Sequence, residues 1–416
     1  MVWLALLAAY ILAGTPAAPF HGDESTQIFM SRDYAYLFLE GDLERIRYDV
    51  ASASPTEQHL RLLNGVVNKY LIGLAWHAAG FHVDDLNEQW DWGADWDYNQ
   101  QNGHAPAPAL LLTARWPSAL LLALGAAAVF ALGYVVDGAP TAYLSSLYYA
   151  LNPALLLNGR RAMMEGSFLA FSLLALLAGV WLARRPGWKP ALALGLAAGL
   201  AVASKHTALF GAAAVFVGCL AILLPASRRS LLWLALAALL ALLVFLALNP
   251  AWWDNPLVRA AEVLQLRQEL LAIQTSVFGG YAGPADQLAG FLRQAFIVQP
   301  QYYEAPAWAE YIAGKIADYE AAPWRGVSLG GAVAGGALVA ALTLWGGWQL
   351  FRRQDAVIRL VLFWSATLAL STLVLTPLEW ERYYLPVYPA IGLLAAVGAA
   401  ELTRKIHIHF RQPVSG

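Results

Sequence analysis

Residues 231–249, LLWLALAALLALLVFLALN, form an uncharged apolar run that decides the class of fold. A helix of about 20 apolar residues is long enough to cross the hydrocarbon core of a bilayer. The run is rich in Leu and Ala and lacks the alternation of polar and apolar residues that is typical of membrane strands. It therefore predicts a membrane-spanning helix.

Composition and further apolar runs extend this prediction to the whole chain. Of its 416 residues, 59% are hydrophobic and 13% are charged, about half the charged fraction of a soluble domain. The one cysteine, Cys219, excludes an intramolecular disulfide. Residues 1–18 end in Ala17-Ala18 like a signal peptide, but they lack a basic start, so we interpret them as a first span. We predict an all-α polytopic membrane protein with about ten spans, at 1–18, 116–136, 140–157, 163–183, 190–204, 207–225, 231–249, 327–350, 357–376 and 386–402.

The charges of the loops predict the orientation. Short connections on one side hold eleven basic and two acidic residues, whereas the long loops 19–112 and 250–325 together hold 22 acidic and ten basic residues. Cytoplasmic loops are enriched in Lys and Arg, so we expect both termini inside and both long loops outside the cytoplasm. We treat 1–416 as a single transmembrane domain whose two extracytoplasmic loops carry interfacial helices. The eleven basic residues are Arg184, Arg185, Lys189, Arg228, Arg229, Arg352, Arg353, Arg359, Arg404, Lys405 and Arg411.

The first long loop contains two candidate interfacial helices and an aromatic segment. Residues 25–47 place apolar and charged positions at helical spacing, which predicts an amphipathic helix. Residues 60–80 are too polar for a clear span, so we predict a second interfacial helix, with a true span as the alternative. WDWGADWDYNQ, residues 90–100, interleaves aromatic and acidic residues. That mixture suits sugar binding, but it is equally typical of an interfacial belt.

The second long loop follows a similar plan. Helical periodicity covers 256–274, turn residues occur near 279–284, and a further helix runs to about Val298. An aromatic cluster then follows, which either packs the loop down or lines a cleft. It consists of Tyr302, Tyr303, Trp308 and Tyr311.

Residues 19–32, PFHGDESTQIFMSR, place two carboxylates directly after the first span. Acidic residues at a membrane boundary are costly unless they are solvated, cap a helix or have a function. Asp23 could cap a helix that begins near Ser25. His21, Asp23 and Glu24 could also hold a divalent metal ion, although their spacing is not that of a known metal motif.

Further charges lie at the outer ends of predicted spans. They are Arg160, Arg161, Glu165, Lys205, Glu379, Glu381 and Arg382. Each could belong to a structural ion pair or reach to water. Gathered on one membrane face, however, such cations suit a lipid-linked phosphate, and a carboxylate among them suits a general base that acts on a hydroxyl.

Five segments, in this order, resemble the GT-C type membrane glycosyltransferases, in particular the protein O-mannosyltransferase and aminoarabinose-transferase branch. They are GDES (22–25), TARWPSALLLAL (113–124), NPALLLNGRRAMMEGSFLAF (152–171), ASKHTALF (203–210) and ERYYLPVYPAIGLL (381–394). Two positions depart from the family pattern. Glu165 stands where relatives commonly have Asp, and QHLRLLNG (58–65) replaces a His-Pro-Pro segment, which leaves the role of His59 open.

The resemblance implies an inverting glycosyltransferase that moves a sugar from a polyprenyl phosphate to a hydroxyl acceptor at the outer membrane face. It implies Asp23 as the catalytic base with Glu24 beside it, and no nucleic-acid partner. By the same likeness Arg160, Arg161, Lys205 and Arg382 are expected near the lipid phosphate, and Glu165, Lys69, Trp92 and Tyr383 near the substrates. No cofactor is identified, and a divalent metal stays open.

Two other functions fit a membrane protein of this composition. A transporter or flippase for lipid-linked substrates would carry charges in mid-span and broken helices in two matching halves. Here the charges lie mostly at span ends and the halves do not match. A catalytically silent protein that binds lipid-linked sugars would differ only in lacking turnover.

Overall fold

The computed structural model describes residues 2–49, 55–225, 227–329 and 332–411. Over these ranges the chain is helical and contains no strand, which confirms the predicted all-α fold. Six helices are long and apolar enough to cross a membrane, and three shorter apolar helices accompany them. The protein is therefore a multi-pass membrane protein. Of the predicted spans, 1–18 and 327–350 include residues outside the described ranges, namely Met1, Gly330 and Gly331.

The first part of the chain is a series of short helices after the N-terminal one. These are α1 (Val2–Ala13), α2 (Gly22–Met30), α3 (Arg32–Tyr34), α4 (Leu43–Ile46), α5 (Pro55–Leu63), α6 (Val66–Ala78) and α7 (Trp96–Gln101), with a π-helix at Ala35–Glu40 and a 3-10 turn at Val83–Asp85. The single helix expected over 25–47 is thus interrupted, and Gly41, at φ 71°, takes the left-handed conformation that glycine adopts without strain. Almost all of α2 is buried.

Residues 60–80 form two helices rather than one. The chain breaks at Asn64-Gly65, and α6 continues for 13 residues. At 1.5 Å per residue α6 is about 20 Å long, too short for a bilayer core of ~30 Å. Its Val66, Val67 and Tyr70 pack against Ala203 in a buried cluster. The interpretation of this segment as a true span is not supported.

The central helices form the main core. They are α8 (Pro108–Asp137), α9 (Ala139–Leu151), α10 (Pro153–Arg160), α11 (Glu165–Arg184), α12 (Trp188–Ser204), α13 (Ala208–Leu223) and α14 (Arg228–Leu248). The span expected at 140–157 is split between α9 and α10. Pro153 disfavours a helical conformation at Asn152, whose side chain instead caps α10 by accepting from Leu155 N at 3.0 Å.

The last part of the chain returns to the core after the second loop. It contains α15 (Pro256–Phe278), α16 (Pro284–Phe296), α17 (Pro306–Tyr311), α18 (Ala313–Ala321), α19 (Val333–Arg352), α20 (Ala356–Leu375), α21 (Glu381–Tyr384) and α22 (Tyr388–Arg411), with 3-10 turns at Pro250–Trp252, Pro323–Arg325 and Leu385–Val387. Helices α15 and α16 match the periodicity expected for the second loop. The largest buried cluster joins Leu122, Leu173, Ala198, Val215 and Val397, from five different helices.

Candidate active site

Asp23 lies in the first turn of α2, and its carboxylate does not cap that helix. The cap is His21, whose Nδ1 accepts from Asp23 N at 3.1 Å, while Glu24 Oε1 accepts in return from His21 N at 3.1 Å. The helix begins at Gly22, three residues before the start that capping by Asp23 required. The carboxylate of Asp23 is therefore free for another partner, and it is 27% exposed.

Arg382 is the partner of Asp23. Its guanidinium contacts Asp23 Oδ2 through Nη1 and approaches Glu304 Oε1 at 3.0 Å through Nε. Glu304, from the second long loop, also accepts from His21 Nε2 at 2.9 Å. Since His21 Nδ1 accepts from a backbone N–H, the ring proton on Nε2 is the one that points to Glu304. Arg382 thus lies between the partly exposed carboxylate of Asp23 and the nearly buried carboxylate of Glu304.

Charged neighbours favour the ionised form of Glu304. Burial alone would raise the pKa of Glu304, but Arg382 and His21 outweigh burial and hold this pKa well below its usual range. Glu304 was not expected from the sequence. It lies 283 residues from His21, and an isolated Glu in a loop gives no signal of such a contact.

Glu24 is next to Asp23 but fully engaged in the fold. Arg115 from α8 makes two bonds of 2.7 Å to its two oxygens, and Ala162 N donates to Oε2 at 2.9 Å. Burial would raise the pKa of Glu24, but the Arg115 ion pair outweighs it, so the pKa is lowered. With the bond from His21 N, four donors occupy this carboxylate. Glu24 thus joins α2, α8 and the segment before α11.

A second cation, Arg267 of α15, lies near Arg382 and has no carboxylate partner within the described ranges. Its Nη2 donates to the carbonyl of Leu63 at 3.2 Å. Burial is the main cause of the lowered pKa of Arg267; Tyr383 opposes this shift, and the charge of Arg382 adds to it. Beside it, burial lowers the pKa of His206 to about 4, so this ring is neutral at neutral pH. An unpaired, partly buried cation next to another cation is the expected surrounding of an anionic ligand.

Lys205 and Glu165 form an adjoining ion pair. Lys205 Nζ lies 3.0 Å from Glu165 Oε1, and both side chains are largely buried. Glu165 Oε2 is buried and has no hydrogen-bond partner among the described residues. Glu165 interacts electrostatically with Arg382, which connects this pair to the Asp23 group.

Tyr383 and Trp92 lie beside Arg382 and His21, and Arg161 connects the two long loops. The Tyr383 ring is 5.8 Å from the Arg382 guanidinium carbon. The exposed Trp92 ring lies 5.7 Å from that of His21. Arg161 donates to the carbonyls of Pro19 and Tyr302 at 3.1 and 2.8 Å and so holds the two long loops together.

Arg160 and Lys69 are placed elsewhere. Arg160 donates to the carbonyls of Ile11 and Tyr10 at 2.8 and 2.9 Å, at the end of α1. Lys69 Nζ contacts Asp33 Oδ2 at 2.5 Å, in a buried cluster with Arg61. Both cations serve contacts within the protein and are not part of the candidate site.

Aromatic residues from both long loops pack together beside His21. Tyr303 stacks on the His21 ring at 4.5 Å, and Trp308 lies 5.6 Å from Trp92 and 5.8 Å from Trp90. The cluster therefore packs the two long loops against each other beside His21, the neighbour of Asp23. Asp95 only caps α7, accepting from Tyr98 N at 2.7 Å.

A metal site is not formed by the side chains that the structure describes. No group of three or more His, Cys, Asp or Glu residues is arranged to hold an ion over the described residues. His21 approaches both Asp23 and Glu304, but Arg382 already lies against both carboxylates.

Comparison with known proteins identifies a family model and solved structures that resemble the chain. Residues 64–256 match the family model of dolichyl-phosphate-mannose-protein mannosyltransferases. No curated protein sequence matches the chain. Two solved folds cover 98% of it: ArnT from Cupriavidus metallidurans bound to undecaprenyl phosphate (14% identity, TM-score 0.52) and the oligosaccharyltransferase AglB from Archaeoglobus fulgidus with an inhibitory peptide and a dolichol-phosphate (15% identity, TM-score 0.51).

The chain is shorter than these proteins. It spans 62% of the ArnT chain and 51% of the AglB chain. The chain therefore shares its fold with ArnT and AglB, and its residues 64–256 match the sequence pattern of the dolichyl-phosphate-mannose-protein mannosyltransferase family.

Proposed function

We propose that this protein is an inverting glycosyltransferase that moves a sugar from a polyprenyl-phosphate donor to a hydroxyl acceptor. One observation carries the proposal: a partly exposed carboxylate, Asp23, lies against Arg382, next to a second cation, Arg267, that has no counter-ion among the described residues. A base and an anion-binding group thus lie side by side. The bound undecaprenyl phosphate and dolichol-phosphate of ArnT and AglB support a polyprenyl phosphate as the anion here.

Asp23 is the base in this proposal. The acceptor hydroxyl attacks the anomeric carbon while the bond from that carbon to the phosphate oxygen breaks on the opposite face. The hydroxyl proton passes to Asp23, and the phosphate leaves as an anion, so no general acid is required. Glu24 is a weaker candidate for the base because four donors already occupy its carboxylate.

Arg382 connects phosphate binding to the base. When no donor is bound, the guanidinium of Arg382 forms an ion pair with Asp23. Glu304 contacts the Nε edge of the same guanidinium. A donor phosphate would compete with Asp23 for the free edge of Arg382 and so release the carboxylate toward the acceptor. Arg267 and Lys205 would supply further positive charge to the phosphate, and Glu165 would orient Lys205.

We place the site on the extracytoplasmic face. The support is the charge bias of the loops, because the two long loops that supply Asp23, Glu304 and Arg267, 19–112 and 250–325, are acidic overall. The exposed Trp92 beside His21 is proposed to contact the sugar or the acceptor. The division of the chain into one membrane domain with two long loops stays a prediction. A transporter is less well supported, since the ionisable groups are not in mid-span.

Turnover of Asp23→Asn tests the proposal. The substitution keeps the shape of the side chain, and the loss of a general base typically lowers the rate about 10²–10⁴-fold. We expect turnover of a polyprenyl-phosphate sugar to fall by at least about a hundredfold, with donor binding retained. Asp286→Asn, an exposed acid of the second loop, is the matched control and should keep full activity. Near-normal turnover in Asp23→Asn would remove Asp23 from the mechanism, and a wild-type protein that binds donor without turnover would be a silent binder.

A further inference from the structure

An apolar groove runs along α11 and α12, and its charged end lies far from the candidate active site. It encloses about 650 Å³ and is lined almost entirely by apolar side chains, including Val135 of α8. Phe171 and Leu200 mark one end, and Arg184 and Arg185 mark the other. No acidic residue is among the residues that line it. The groove is therefore apolar along its length and positively charged at one end.

Small residues create this groove, and it opens outward. Ala193 and Ala197 lie one turn apart on α12 and leave room beside α11. Leu196 and Trp181, on its edges, are 47% and 43% exposed. In a membrane-spanning bundle these exposed apolar edges face lipid rather than water, so a lipid chain is the natural occupant of the space between them.

The length of the groove fits one leaflet. From residue 171 to residue 185, α11 rises about 21 Å. Half of a hydrocarbon core is roughly 15 Å, so the groove matches an acyl chain together with its head-group region. The arginine end lies at the far end of α11 from Glu165, about 30 Å away along the helix. With the orientation proposed above, the charged end is in the cytoplasmic leaflet.

The charged end is available for a ligand. Arg184 uses one nitrogen to donate to the carbonyl of Val135 at 3.2 Å, and its other donors have no partner among the described residues. The exposed side chain of Arg185 has no hydrogen bond or ion pair within the described ranges. Lys189, at the start of α12, adds a third positive charge near this end and lies 5.5 Å from the Trp188 ring. Tryptophans at such a position are typical of the membrane–water interface.

We infer that this groove binds one anionic phospholipid, with an acyl chain between α11 and α12 and its phosphate head group on Arg184 and Arg185. Charge complementarity selects an anionic lipid over a zwitterionic one, because the positive charge has no acidic counterpart among the lining residues. The head-group end of the groove is distinct from the donor site, since Glu165 and Lys205 lie at the opposite ends of α11 and α12. It is therefore testable without glycosyl transfer.

Native mass spectrometry of the full chain in neutral detergent tests this inference. We expect a one-to-one adduct with phosphatidylglycerol that forms more tightly than the adduct with phosphatidylcholine. A basic residue near an anionic lipid contributes roughly fivefold in affinity, so Arg184→Gln/Arg185→Gln should weaken phosphatidylglycerol binding roughly thirtyfold. The matched control is Arg228→Gln/Arg229→Gln, an exposed basic pair on α14 that does not line the groove.

Two further variants keep the test decisive if the double variant unfolds. Arg185→Gln alone should lose roughly fivefold in affinity, and it breaks no side-chain contact within the described part of the fold. Ala193→Trp fills the groove without altering charge and should weaken binding of both lipids. Unchanged phosphatidylglycerol binding in the arginine variants, equal binding of both lipids by wild type, or complete displacement of phosphatidylglycerol by an equimolar polyprenyl phosphate would overturn the inference.

Discussion

Replacing Glu24 with glutamine leaves the guanidinium of Arg115 buried without its counter-ion. Both side chains are almost inaccessible to solvent, and two bonds of 2.7 Å join them. Removal of one partner from such a pair costs about 3–5 kcal/mol, because the remaining charge stays desolvated. We therefore expect Glu24→Gln to lower the free energy of unfolding by that amount. The cost is a folding effect and is separate from the chemistry of Asp23.

A double-mutant cycle measures the pair itself. In Glu24→Gln/Arg115→Met the buried charge is gone, while the new amide side chain at position 24 still offers an oxygen to Ala162 N or His21 N. One backbone donor is left without a partner at about 1–3 kcal/mol, so the double variant should be more stable than Glu24→Gln alone. Unfolding by SDS in mixed micelles gives the free energies. Arg47→Gln, which breaks only exposed ion pairs, is the control and should change stability by at most about 1 kcal/mol.

The turnover of the same variant decides between the two carboxylates. Any activity lost in Glu24→Gln should follow the loss of folded protein, and the folded fraction should turn over normally. A Glu24→Gln protein that is as stable as wild type but inactive, with Asp23→Asn near normal, would contradict this assignment. The two residues would then have exchanged roles.

Donor KM should rise roughly tenfold to a hundredfold in Arg267→Gln, since a hydrogen bond to a charged group contributes about 1.5–3 kcal/mol. Arg382→Lys should also raise donor KM, because a point charge cannot make two parallel bonds to a phosphate. Asp95→Cys and Asp286→Cys should react with an impermeant thiol reagent on intact cells. The folded pKa of Glu304 lies below its ordinary value of 4.5, so its contribution to stability should be complete above about that pH and lost as the pH falls; Glu304→Gln should flatten this acid dependence of the unfolding free energy.

Each of these measurements has a control in the same chain. Arg47→Gln should leave donor KM unchanged, and an unchanged KM in Arg267→Gln would remove that residue from the phosphate site. The native Cys219 is buried, so thiol labelling has a low background. Labelling that requires permeabilised cells would reverse the orientation. An equally steep acid dependence in Glu304→Gln would show that other carboxylates govern stability at low pH.

The sequence predicts the helices well because their signals are local. The run at 231–249 and the periodicity after Pro256 became α14 and α15, since apolar length and spacing alone specify a helix. Asp23 and Arg382 were both predicted site residues, and they are in contact in the structure although 359 residues separate them. Which charge pairs with which is not a local property, however, because it depends on how distant helix ends meet.

Four residues show where this limit falls. Arg115 lies in the segment TARWPSALLLAL (113–124), but its hydrogen bond to Glu24 depends on the packing of α8 against α2. Glu304 and Arg267 come from the second loop, and neither stands in a motif. Arg160 looked equivalent to Arg161 in sequence, but adjacent residues point in different directions, and Arg160 turns to the end of α1.

A structure with a bound polyprenyl phosphate tests the proposed roles of Asp23 and Arg382. We expect the phosphate to lie against Arg382 and Arg267, within reach of Lys205, and Asp23 to have left Arg382 to face the open side of the site. Glu304 should keep its contact with the other edge of the guanidinium. A phosphate bound away from these cations, or an Arg382 that holds both the phosphate and Asp23 unchanged, would contradict it.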